Sequence, residues 1–276
     1  MTAGGCRFEE VAAHVDRLTP DDRTDRPVLG AIRGRDGTLL IEGGASPAHL
    51  RLLVDELERR GRPPIVGIAL THWHWDHSFG SAAVDVPVIA SRGTADALAV
   101  QRSYEWSDAA LDKRVADGRE IAFCRDMLRL EMPDRSALEI VLPTAAFDEE
   151  HAIDLGGVRV ELRRVGGDHA EDSVVAWVPG DGVLFLGDAL YERLYAPEPH
   201  LTPTGVRGLL ERLDGLAPVA ALEGHDEGVA GADAYAARLA DLERACAIVE
   251  AGDAAPTDDP SLVELVGLLR IGAGLS

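Results

Sequence analysis

Residues 71–77 read THWHWDH, placing His72, His74, Asp76 and His77 within seven positions. The stretch follows PPIVGIAL (63–70), an apolar run that reads as a buried strand. A chain that turns at the end of a strand aims alternating side chains at one point. A helix opening directly afterwards brings Asp76 and His77 in from another side. Neutral imidazoles and carboxylates suit zinc, manganese or iron. A lone histidine is ordinarily a surface or core group, but three in HxHxDH spacing at a strand end read as a metal-ligand set.

Further candidate ligands lie at the ends of later apolar runs. His169 stands in GGDHAEDS, Asp188 in FLGDALY and His225 in EGHDEG. Each has glycine close by, so its backbone can turn sharply near a site.

Around these residues the chain reads as strands and helices. VLGAIR (28–33) and TLLIE (38–42) enclose GRDG and read as a hairpin. Ser46 then caps a helix, Pro47 suits its first turn, leucines recur at helical spacing and Gly61 ends it. VPVIAS (86–91) is another strand, and TADALAVQ (94–101) starts a helix. Residues 101–142 are charged, broken by Gly118 and Pro133, and read as a mainly helical insertion, expected to form a lid or pocket wall. HAIDLGGVRVELRRVGGDH (151–169) reads as a hairpin around Gly156–Gly157, and SVVAWVPGDGVLFLGDALY (173–191) as another that turns at PGDG. VAALEGHDEG (219–228) contains a short strand. Two helices close the chain, at 232–250 and 260–270. The order makes an α/β chain, read as one domain over 1–276, whose halves pack sheet against sheet with helices outside.

Bulk properties narrow the function. The 48 acidic residues against 27 basic give a formal net charge of −21. Such a surface repels phosphate backbones, which argues for a small-molecule substrate and against nucleic acid. Cys6, Cys124 and Cys246 are far apart and form no CxxC, which points to a reducing compartment without a disulfide framework. MTAGGCRFEEVAAHVDRL (1–18) has no apolar core of a secretory signal, and no run approaches the roughly 18 residues of a membrane span. A cytoplasmic protein with no membrane partner is expected, with a homo-oligomer left open.

HxHxDH together with His169, Asp188 and His225 resembles the metallo-β-lactamase-fold superfamily of metallohydrolases. The resemblance covers most of the chain, from the hairpin at 28–42 to His225. It implies an α/β (α+β) fold, a four-layer αββα sandwich with two divalent metal ions at one edge. By it, His72, His74 and His169 hold the first metal, Asp76, His77 and His225 the second, and Asp188 bridges them. Zinc is the first expectation, with iron or manganese as alternatives. The sequence also departs from the pattern. DHAEDS stands where relatives usually have Thr-Pro-Gly after the histidine, a version closer to true metallo-β-lactamases. Those enzymes usually carry cysteine or serine at the position of Asp188. Glu42 stands where relatives often have aspartate, behind the metals. His74 separates the chain from the flavodiiron branch, which has glutamate there, and the acidic balance counts against the ribonuclease branch.

The activity implied is a dinuclear metal-dependent hydrolase. A hydroxide bridging the metals attacks the carbonyl of an ester, lactone, thioester or β-lactam, and a metal stabilises the oxyanion. Asp76 or Asp188 holds or relays the proton. Tyr191 lies three residues after Asp188, a spacing that resembles the quorum-quenching lactonase branch. There it would donate a hydrogen bond to the oxyanion, the alternative being a tyrosine packed under the insertion. Trp73 and Trp75 read chiefly as buttresses of the loop, with a pocket wall as the other use. Asp168 is read as exposed, or else as orienting an imidazole. Arg125 and Arg129 either form salt bridges or meet an anionic substrate. His14, His49, His151 and His200 match no ligand position. Two other readings stay open: a mononuclear iron dioxygenase of the persulfide type, which keeps the same ligands, and a non-enzymatic metal-binding protein that retains the fold.

Overall fold

The computed structural model of the chain describes residues 5–256 and 258–275. The first four residues of the N-terminal stretch read above lie outside these. One sheet runs in strict chain order: β1 (Phe8–Ala12), β2 (Val15–Leu18), β3 (Leu29–Arg33), β4 (Thr38–Ile41), β5 (Ile65–Ala69), β6 (Val88–Ser91) and β7 (Ala145–Phe147). Its first four strands form an antiparallel meander, and β4 to β7 are parallel. Parallel neighbours need crossovers, and helices supply them. The helix α1 (Pro47–Arg59) joins β4 to β5, while α2 (Trp75–Ser78) and a 3₁₀ turn join β5 to β6. Between β6 and β7 lie α3 (Arg92–Gln101), α4 (Asp108–Ala116) and α5 (Ala122–Glu131).

The second sheet has the order β13-β12-β11-β10-β9-β8. It contains β8 (Glu150–Asp154), β9 (Arg159–Arg164), β10 (Val174–Val178), β11 (Val183–Gly187), β12 (Ala220–Glu223) and β13 (Ala230–Gly231). The helix α6 (Pro203–Leu213) crosses between the parallel strands β11 and β12, and α7 (Ala232–Ala251) and α8 (Pro260–Gly272) follow.

Period-two alternation sorts the apolar side chains into three cores. Leu39 and Ile41 of β4 face Phe185 and Leu162 between the sheets. Leu40, between them in sequence, points outward to Leu50 and Leu53 of α1. On the other side Leu184 and Val175 pack beneath α6, α7 and α8, through Leu209, Leu242 and Leu269. The result is the expected αββα sandwich.

The β1–β2 hairpin, the short strands β7 and β13 and the helix α6 have no counterpart in the sequence reading. Among the described residues, no helix is long and apolar enough to cross a membrane. The two sheets are stitched together at one edge, where the Val174 N–H donates to the Thr71 carbonyl (2.8 Å) and the Val28 N–H to the Gly224 carbonyl (2.6 Å). The histidine-rich turn sits there.

Candidate metal centre

The turn after β5 delivers His72 and His74, and α2 delivers Asp76 and His77. The β9–β10 connection brings His169, the end of β11 brings Asp188, and the end of β12 brings His225. Two glycines make the approach possible. A Cβ at Gly224 would lie 2.0 Å from Asp188 Oδ1. Gly187 has a φ of 52° and would meet the Thr71 hydroxyl at 2.5 Å.

All seven side chains converge. One donor atom from each of His72, His74 and His169 lies within 4.8 Å of the others, and the same holds for Asp76, His77, Asp188 and His225. Asp188 joins the two groups. Its Oδ2 is 3.3 Å from Nε2 of His169, 3.3 Å from Nε2 of His77 and 3.5 Å from Nε2 of His225. Asp76 Oδ2 is 2.9 Å from His77 Nε2 and 3.2 Å from His225 Nε2. His74 Nδ1 faces His169 Nε2 at 3.0 Å. Tetrahedral donors about 2.0–2.1 Å from a zinc ion stand about 3.3 Å from one another, so these separations fit a cation in each group.

Two unsatisfied atoms at the cluster are ones a cation could use. Nε2 of His72 and Oδ1 of Asp188 are buried and have no hydrogen-bond partner. Most buried polar atoms in proteins are paired, so orphans facing one point suit a ligand there. The opposite edges of the rings are held. His169 Nδ1 donates to the Glu192 carbonyl (3.0 Å), which leaves its Nε2 as the lone pair facing His74. Glu42 accepts from the Thr71 hydroxyl (2.5 Å), the Thr71 N–H (3.2 Å) and His77 Nδ1 (3.0 Å). With its own proton given to Glu42, the Thr71 oxygen accepts from His72 Nδ1 at 2.9 Å. One carboxylate therefore sets the tautomer of a histidine in each group. Glu42, His72 and His77 also lie close enough to form a donor set. The three protons Glu42 already accepts make it an orienting group instead.

Electrostatics divides the two groups. Burial and the neighbouring imidazoles hold His72 well below the usual histidine range and take His74 down to about 3, so both are neutral donors. Burial acts against the charged form of His77, yet Asp76, Asp188 and Glu42 override it and raise that ring well above the usual range. Burial acts against the charged forms of Asp76 and Asp188 too, but His77 and His225 hold both carboxyls ionised. In the second group, therefore, two carboxylates and two imidazoles favour each other's charged forms.

A cavity of about 590 Å³ opens onto the cluster. Ile121, Phe123 and Cys124 of the 101–142 segment line it, with Leu194, Tyr195 and Pro199 from the loop after β11. Tyr191 is in its wall, and the Tyr191 oxygen accepts the His225 N–H at 3.3 Å. Burial, with Asp188 nearby, raises that hydroxyl far above the usual range, so it stays protonated. The two tryptophans divide their roles. Trp75 is buried against Phe79, whereas Trp73 stands edge-on to His74 and lines a neighbouring cleft.

One expectation needs correction. Asp168 is neither exposed nor at an imidazole; it accepts from the N–H and the hydroxyl of Thr202, the N-cap of α6. Arg125 and Arg129 pair with Asp112, and with Asp126 and Asp108 respectively, outside the cavity lining. His14, His49, His151 and His200 stay out of both donor groups.

The sequence reading missed Asp25, Glu192 and Tyr195. Tyr195 is in a run of aromatic and apolar residues, LYERLYAP, directly after a candidate ligand, which is a usable signal. Asp25 sits in DDRTDR, which looks like any solvated charged stretch. Its carboxyl is pushed up to about 7 by burial and by Asp76.

Comparison with known proteins agrees with this architecture. No curated protein matches the sequence. A metallo-β-lactamase from Pontibacter korlensis superposes with a TM-score of 0.57 at 19% identity, over 85% of this chain and 97% of that one. The sec-alkylsulfatase Pisa1 from Pseudomonas sp. gives 0.66 at 18% identity, over 88% of this chain, which spans only 42% of the sulfatase. The DIM-1 metallo-β-lactamase gives 0.54 at 15% identity, over 85% of this chain and 95% of that one. At these identities the likeness speaks for the fold. The family model of the metallo-beta-lactamase superfamily, however, matches residues 29–249, which carry all seven converging side chains. This chain belongs to the metallo-β-lactamase superfamily.

Proposed function

We propose that the chain is a two-cation hydrolase of small carbonyl compounds, with zinc the first candidate metal. The observation that carries this is Asp188 Oδ2, within 3.5 Å of imidazoles from both donor groups. His72, His74 and His169 would hold one cation, Asp76, His77 and His225 the other, with Asp188 between. Bound there, divalent cations supply Lewis acidity, which makes hydroxide available at neutral pH and stabilises a developing oxyanion.

The protein's own groups do the rest. The Tyr191 oxygen already accepts a backbone N–H, so its hydrogen is left to donate to an oxyanion in the cavity. Asp188 Oδ1, buried and without a partner, takes up the proton of the nucleophile. Tyr195, 5.4 Å from the His74 ring, and Trp73, 4.5 Å from it, exclude water from one side.

The cavity wall supports a substrate class. Ile121, Phe123, Cys124, Leu194, Ala196 and Pro199 are apolar, and no lysine or arginine lines the space. An ester, thioester or lactone with an uncharged apolar substituent fits it. Each methylene buried contributes about 0.8 kcal/mol, or about fourfold in kcat/KM. A panel of alkyl esters and alkyl lactones, assayed with and without chelator, tests the reading. Rates should climb with chain length until the cavity is full and vanish with chelator. A zinc-loaded protein that turns over none of them, or a single bound iron with oxygen uptake on persulfides, overturns it.

A further inference from the structure

Among the described residues, two other than glycine hold a left-handed backbone: Glu42, with φ 73°, and Asp25, with φ 57°. Both are carboxylates at the cluster. Each faces Nδ1 of an imidazole whose Nε2 is turned to Asp76 and Asp188. Glu42 does this for His77 at 3.0 Å. Asp25 does it for His225, Oδ1 to Nδ1, at 3.6 Å, within ion-pair reach although longer than a hydrogen bond.

The loop that presents Asp25 is anchored. Asp21 and Arg26 exchange backbone hydrogen bonds of 2.9 and 3.1 Å, closing a tight turn in which Asp25, next to Arg26, caps the C-terminal end of the 3₁₀ turn Asp22–Thr24. Arg26 grips Glu131 at the end of α5 through two bonds of 2.8 and 2.9 Å. Glu131 in turn accepts from the hydroxyl of Ser46, the N-cap of α1. The turn is therefore tied to the framework that carries the first sheet, and the Asp25 side chain faces the cluster. Glycine, asparagine and aspartate are the residues that take a left-handed backbone with least strain, so the position tolerates Asp25, and its carboxylate is what sets it apart from glycine there.

We propose that Asp25 is a positioning residue that fixes the ring of His225 through Nδ1 and thereby strengthens cation binding by the Asp76, His77, Asp188 and His225 group. The inference rests on the two-cation reading above. A ligand histidine backed by a carboxylate is more rigid and a better donor, and losing such a partner typically costs 10–100-fold in metal affinity. Glu42 backs His77 in the same way, so the second group would be braced at both of its imidazoles.

The test is zinc binding to the full-length apoprotein, with two affinities resolved by titration against a chromophoric chelator. Asp25→Gly and Asp25→Asn both suit the left-handed backbone, so neither adds strain. The expected result is a 10–100-fold weaker second zinc in Asp25→Gly, a smaller loss in Asp25→Asn, and an unchanged first zinc in both. The unchanged first zinc also reports an intact fold. A second-zinc affinity within twofold of the natural protein in Asp25→Gly overturns the proposal, as does an equal loss at both sites. A rise in KM alone, with both zinc affinities kept, also overturns it, because Asp25 would then meet the substrate. If the unmodified protein binds fewer than two zinc ions, the two-cation reading itself fails.

Discussion

Glu42 is held in a conformation that costs a side-chain-bearing residue about 1 kcal/mol or more, and three donors fix it there. Two of them connect to different donor groups, His77 directly and His72 through the Thr71 hydroxyl. Glu42→Gln keeps the size but replaces one acceptor oxygen with an amide that donates. With the amide nitrogen at the Oε1 place the Thr71 hydroxyl and His77 Nδ1 both lose their acceptor, and turned the other way the Thr71 N–H loses its own. If the Thr71 hydroxyl must turn, the tautomer of His72 is no longer fixed. Both zinc affinities should fall by about 10–100-fold, with secondary structure unchanged. Chelator competition alongside far-ultraviolet circular dichroism measures this. A loss confined to one site would contradict the sharing of one carboxylate by both groups.

The outer helical layer on the second sheet depends on pH through Cys246 of α7. The residue is fully buried among α6, α7 and α8, and burial pushes its thiol up to about 11. A thiol in the unfolded chain titrates near pH 8.5, so the folded chain holds this proton more tightly. The stability it contributes is present in full below about pH 8.5 and is lost as pH rises towards 11, at about 1.4 kcal/mol per pH unit. Thermal melts of the apoprotein between pH 8 and 11 should show Cys246→Ala losing that part of the slope. Parallel slopes for the two proteins would mean the thiol does not titrate with unfolding. The helices of this layer were unequally legible in the sequence. α8 announces itself with Asp259 and Pro260 at its start, and the C-terminal end of α7 is marked by Gly252 in the left-handed region. α6 carries the same signals in Thr202 and Pro203, but it lies in a stretch the reading passed over between two ligands. The β1–β2 hairpin is hard to see because β1 is half-buried and alternates weakly, and a sheet partner rather than its own pattern decides it. The seven converging candidate ligands were legible for the opposite reason: metal chemistry restricts residue type, and spacing survives where local propensity is weak. Asp25 has neither advantage. Its proposed role depends on a turn residue meeting a histidine two hundred positions away, which no local window contains.

At the scale of the molecule, a cation bound in the centre would be a cross-link. His72, His74, Asp76 and His77 come from the first sheet's connections, and Asp188 and His225 from the ends of second-sheet strands. A cation held by both sets joins the two layers, and it binds the folded chain far better than the unfolded one. Such a ligand stabilises by about 2.7 kcal/mol at a hundredfold excess over its Kd. For a chain of this size each kcal/mol moves Tm by about 2–4 °C, so two zinc ions should raise it by about 10–20 °C. The net charge of −21 offers a competing explanation, since any cation near so acidic a surface relieves repulsion. Ionic strength separates the two. At 0.5 M sodium chloride the surface term is largely screened, whereas buried coordination is screened much less. The zinc-induced rise should therefore persist in high salt, reverse with chelator, and shrink to about one ion's worth or less in Asp188→Ala, which loses the oxygen shared by both groups. A rise that disappears in salt, or that Asp188→Ala retains in full, would assign the stabilisation to the acidic surface and not to a cross-link between the sheets.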